Sequence, residues 1–162
     1  MAVDYFLKID GVAGESKDRK HKDEIELEAF SWGATQQTAH PGGGGGGAAK
    51  VSMQDFHFVM RTSKASPKLF LACATGQHLK TAVLTARKAG KDQHEFLVYK
   101  FTDLLVSSYQ TGGTEGTDVP TDSVSFNFSK IEVEYRPESP TGQLGGAVKA
   151  GWDVKANKAL KI

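Results

Sequence analysis

Three stretches of this chain alternate apolar and polar residues and then change phase midway. In the first, Ile25 and Leu27 are followed by Phe30 and Trp32. In the second, Val51 and Met53 give way to Phe56, Phe58 and Met60. In the third, Val124, Phe126 and Phe128 give way to Ile131, Val133 and Tyr135. Alternation at period two marks a strand with one face in a core. A strict period of two cannot keep both halves of such a strand on one face. Two readings stay open. Either a bulge inserts one residue near each switch, or each strand buries one face in its own core and the other against a neighbouring subunit. Both suit long strands that bend round a small barrel.

The rest of the chain agrees with a strand-rich fold. Strands are expected at residues 5–9, 24–32, 51–61, 83–88, 95–101, 104–109, 123–135 and 148–155, with Trp152 and Val154 on one face of the last. Polar loops are expected at 15–22 and 111–118, and a Pro/Gly loop at 136–146. One segment breaks the pattern. Ser66 and Pro67 are placed to open a helix and Gly76 to close it. Leu69 and Cys73 lie one turn apart on its apolar face, with Phe70 beside them. The expected architecture is mainly β: an antiparallel barrel or sandwich with one short α-helix packed on its side. With 162 residues the chain reads as a single domain, 1–162, carrying an extended glycine loop at about 35–49.

Charge is balanced, with 20 basic and 19 acidic residues and a net charge of +1, so neither nucleic acid nor an anionic membrane is the expected partner. No run of about 18 apolar residues is present for a membrane span. The start, Met1-Ala2-Val3-Asp4-Tyr5-Phe6, lacks a basic stretch and a long apolar run, so no cleaved signal peptide is expected. The lone Cys73 cannot form an internal disulfide and reads as a buried, inert thiol.

The candidates for chemistry are weak. Gly42, Gly43, Gly44, Gly45, Gly46 and Gly47 form an unbroken run, but a phosphate loop needs Gly-Lys-Ser/Thr opening a helix. Here Ala48 and Ala49 precede Lys50, and a strand follows. Contact between the loop backbone and another surface is the use such a run suggests. His21, His40, His57, His78 and His94 show no metal-ligand spacing. Ser31, in Ser-Trp-Gly, lacks the Gly-x-Ser-x-Gly elbow of hydrolases. Glu24, Glu26 and Glu28 line one strand face and read as a solvated edge rather than an acid/base pair. No catalytic constellation, cofactor or metal is expected.

A series of short motifs runs in order along the chain. It comprises the opening through Ile9, Gly14-Glu15-Ser16-Lys17-Asp18, Ser31-Trp32-Gly33, the glycine run, Gln54-Asp55-Phe56 and the helix from Ser66-Pro67 through Ala72-Cys73, with Gly76 and His78. It continues with Arg87-Lys88-Ala89-Gly90, Leu105-Val106-Ser107-Ser108, Val124 to Phe128 and Gly151-Trp152-Asp153. Together these resemble the haemolysin-coregulated proteins (Hcp), which form the tube of bacterial type VI secretion systems. The resemblance implies a non-enzymatic structural protein. It implies homohexameric rings that stack into a tube, within a sheath and behind a spike protein, and that carry small effector proteins in the lumen. It places Ser31 on the lumen wall and the loop holding Gly42 to Gly47 in contact with the next ring. It also implies a protein first cytoplasmic and then secreted through that apparatus.

Overall fold

The computed structural model describes residues 2–36 and 50–162, so the glycine run 42–47 lies outside the described residues. The elements are β1 (Val3–Ile9), β2 (Ile25–Ser31), β3 (Ala34–Thr35), β4 (Ser52–Met53), β5 (Phe56–Arg61), α1 (Ala65–Thr75), β6 (His78–Lys88), β7 (Glu95–Gly112), β8 (Thr121–Tyr135), β9 (Val148–Asp153) and β10 (Lys158–Ala159). The main sheet runs β10-β9-β8-β5-β2-β1-β6-β7, and β7 also pairs with β8. That pairing closes β8-β5-β2-β1-β6-β7 into a six-stranded antiparallel barrel, with α1 packed against β7. Closure leaves these strands no free edge.

The inward-facing residues build an aromatic core. Phe56, Phe58, Phe101 and Phe126 are fully buried. Phe56 lies 4.8 Å from Phe101 and 5.1 Å from Phe126 between ring centroids. Burying each such ring contributes about 1.5–3 kcal/mol relative to exposure. Phe30, Trp32, Trp152 and Val154 pack on the core from its edge and are only partly buried.

The three phase switches have three local causes. In β2 the ladder to β5 shifts register between Leu27 and Ala29, which is a bulge. The predicted strand 51–61 is two strands, β4 and β5, interrupted at Gln54 and Asp55. In β8 the ladder to β7 keeps its register from Thr102↔Lys130 to Leu104↔Phe128. Between those pairs Asp103 adopts φ 58°, and Ser129 Oγ donates to its carboxylate. Both strands turn over there, so Phe101 and Leu104 are both buried, as are Phe128 and Ile131. The predicted strands 95–101 and 104–109 are accordingly one strand, because the turnover at Asp103 does not interrupt the pairing.

The helix needs two corrections. It begins at Ala65 with Lys64 at the cap position, so Ser66 lies inside the first turn. Pro67 is tolerated there because the first helical N–H groups have no intrahelical acceptor. Ser66 Oγ instead donates to Asp122 and accepts from the Ser63 N–H. The buried face is Leu69 and Ala72, while Phe70 is 57% exposed and Cys73 half-buried. The C-terminus matches expectation: Gly76 is left-handed at φ 67° and its N–H donates to the Ala72 carbonyl.

Candidate functional site

Alternation along the strands turns a second set of residues outward across β2, β5, β8 and β7. Ser31 at the end of β2 is exposed and pairs in register with His57. His57 pairs with Ser125, and Ser125 with Ser108. His57 Nδ1 lies 2.9 Å from Ser125 Oγ. A parallel row holds Ala29, Val59, Ser123 and Gln110. The two rows carry hydroxyls, an amide and an imidazole but no carboxylate, and the next outward residue of β5, Arg61, is paired with Glu28. Each hydroxyl offers a hydrogen bond worth about 0.5–1.5 kcal/mol net, enough to hold a surface weakly and release it. No carboxylate is ion-paired with His57 among the described residues, so its contact with Ser125 lacks the group that would orient the imidazole for nucleophilic chemistry.

Two polar clusters hold the scaffold behind this face. Asp122, at the start of β8, is fully buried. It accepts hydrogen bonds from Ser66, Thr62 and Tyr109, and so fixes the start of α1 to the barrel. Burial pushes its pKa up, but the surrounding hydroxyls outweigh burial and hold the carboxyl below its ordinary value. Burial and the same carboxylate raise Tyr109.

The second cluster lies on the outer face of β1 and β6, where residues 13–24 fold over the barrel. Arg87 is 2% exposed, with its Nη atoms 2.9 and 2.6 Å from the two Asp18 oxygens and its guanidinium over the Phe6 ring. Its hydrogen bond holds Asp18 well below the usual carboxylate range. His21 stacks on Phe6 and presents Nδ1 to Glu24 and Nε2 to Glu95, at 2.9 and 2.7 Å. Gly14 admits this loop: a Cβ there would come within 2.5 Å of the Glu24 carbonyl oxygen. Among the described residues, no group of three His, Cys, Asp or Glu side chains is placed to hold a metal ion, and no helix is long and apolar enough to cross a membrane.

A family model described as "Type VI secretion system effector, Hcp" matches residues 6–135. The chain is 46% identical over 159 residues to Protein hcp1 of Pseudomonas aeruginosa, covering 97% of this chain and 98% of that one. This chain belongs to the Hcp family. The solved structures agree with the assignment. Hcp1 from Salmonella typhimurium superposes with a TM-score of 0.83 at 40% identity, covering 99% of this chain and all of the other. A type six secretion system protein superposes at 0.91 with 36% identity, over 98% of this chain and all of the other. A type VI secretion system effector from Yersinia pestis reaches 0.77 at 34%, over 93% and all.

Of the Hcp residues singled out from sequence, Ser31 is outward-facing and exposed, whereas Gly42 to Gly47 lie outside the described residues. The outward row beside Ser31 went unread, although Ser123, Ser125 and Asn127 alternate with Val124, Phe126 and Phe128 in plain view. The partners of Asp122 and Arg87 left no such signal, because they come together only through the fold.

Proposed function

We propose that this Hcp chain is a non-enzymatic building block of a type VI secretion tube. Six copies form a closed ring, and rings stack into the inner tube within the sheath and behind the spike. Small effectors ride in the lumen until contraction exports tube and cargo together. The chain leaves the cytoplasm through this apparatus. The observation that carries the reading is the family match across the barrel, residues 6–135.

The hydroxyl-rich row of Ser31, His57, Ser125 and Ser108 supports a lumen assignment for this face. The row itself holds no carboxylate, lysine or arginine, and the neighbouring Arg61 is paired with Glu28. The glycine run 42–47 serves ring stacking, where its bare backbone makes a contact weak enough for the tube to come apart. Near-zero net charge suits identical surfaces that must pile on one another.

Light scattering and negative-stain imaging of the purified protein test the reading. The expected result is a mass of about six copies and a ring with a central hole. A mass of one subunit at micromolar concentration overturns it.

A further inference from the structure

Where β8 runs on past β5, its inward side emerges from the barrel. Ile131, Val133 and Tyr135 stand in register with Trp152, Ala150 and Val148 of β9. They also stand in register with Phe101, Tyr99 and Leu97 of β7. Alternation puts all nine on one apolar face. The face opens progressively along the strands: Ile131 is 2% exposed, Tyr135 47% and Val148 67%. Trp32 and Met53, beside the β3–β4 hairpin, complete a groove of about 410 Å³. Trp152 Nε1 is buried there without a hydrogen-bond partner among the described residues.

A second apolar feature has the opposite shape. Phe70 and Leu71 are consecutive on α1, 57% and 55% exposed. Phe70 rests edge-on against Tyr109. Tyr109 and Phe101 are eight residues apart on β7, so the knob and the groove are separated by roughly 25 Å along the barrel, at about 3.3 Å per residue. Large apolar side chains held exposed on rigid elements mark interaction surfaces.

A closed ring of identical copies needs two unlike patches on each copy, one to give and one to receive. The knob and groove are such a pair: both apolar, one convex and one concave, and far enough apart that a single copy cannot satisfy itself. We propose that Phe70 and Leu71 of one copy seat in the groove between Trp32 and Trp152 of the next, and that this contact closes the ring. The assignment rests on the reading of the chain as a ring-forming tube protein.

Leu71→Asp spoils the knob, and Ala150→Arg, in the lining of the groove, spoils the groove. Both positions are exposed, so circular dichroism and melting temperature should match the parent. Each variant alone should fall about sixfold in mass by light scattering, from ring to single copy. Mixed together, one good groove and one good knob remain. The mixture should form a one-to-one pair and grow no further, which a symmetric contact would not produce. A parent protein that is itself a single copy would defeat the ring reading. A parent ring with either variant still a ring, or no pair at the highest soluble concentration, would overturn the knob-and-groove contact and leave the ring reading standing.

Discussion

Asp122 is the residue on which the barrel and helix jointly depend. It is fully buried, has no ion-pair partner among the described residues, and is held ionised by hydroxyl donors from Thr62 after β5, α1 and β7. Its pKa in the folded protein lies below the ordinary value, as do those of Asp18 and Asp103. A carboxylate depressed on folding stabilises the native state above its unfolded pKa, about 3.9, and loses that contribution as pH falls below it. Melting temperature should therefore hold steady above about pH 5 and decline below about pH 4. Asp122→Asn should destabilise the protein at neutral pH by about 1–3 kcal/mol, for disrupted buried hydrogen bonds, and shrink the decline in acid. A calorimetric pH series on both proteins checks this. At Ser31 the expected effect is on cargo. On the proposed lumen assignment, Ser31→Gln should leave ring mass unchanged while lowering the level of any effector that needs this carrier, because a ring would repeat the bulkier side chain in every copy. Size-exclusion chromatography with quantification of secreted effector reads both; a broken ring would place Ser31 at a subunit contact instead.

At the scale of elements, α1 shows how an amphipathic reading can name the right helix and the right face, with Leu69 and Cys73 on the core, and still misplace a neighbour, Phe70. Leu69 is fully buried and Ala72 nearly so, whereas Phe70 and Leu71 face outward. Leu69→Ala should cost about 2–5 kcal/mol, because it leaves a cavity between helix and barrel. Phe70→Ala should stay near 0.5 kcal/mol in either direction, about the usual range of surface changes, in a measurement on dissociated subunits. Denaturant unfolding of the two variants separates them directly. The loop over β1 and β6 depends on Gly14, where any side chain meets the backbone of Glu24. It depends equally on Arg87, whose buried guanidinium is neutralised by Asp18.

At the scale of the whole molecule, a closed barrel isolates folding from assembly. The core aromatic cluster and both polar clusters lie within one chain. Shortening the glycine run 42–47 should therefore leave melting temperature almost unchanged, since halving or doubling a loop shifts closure free energy by only about 0.6 kcal/mol. Single rings should persist, while stacked tubes and secretion should be lost. Electron microscopy of the shortened protein checks this, and loss of the ring itself would move the loop's role from stacking to closure.

Local periodicity was enough to establish a strand-rich antiparallel fold with one helix, the end of that helix at Gly76 and the outward direction of Ser31, while it left barrel and sandwich both open. Each of these depends on residues a few positions apart, so the signal survives in one dimension. The phase switches at Leu27, Met53 and Phe128 were visible too, but not their causes. A bulge, a strand break and a left-handed Asp103 leave the same one-residue slip in the pattern, and only the partner strands distinguish them. Tertiary structure alone decided that Ser66 serves Asp122, 56 positions away, rather than capping its own helix. It alone joined Arg87 to Asp18 across 69 positions. It set Ser31, His57, Ser125 and Ser108 in one row, and it left Phe70 outside the core. Those outcomes follow from strand register and barrel closure. Both are determined by how distant segments share a core, and a side chain's local spacing carries no record of that.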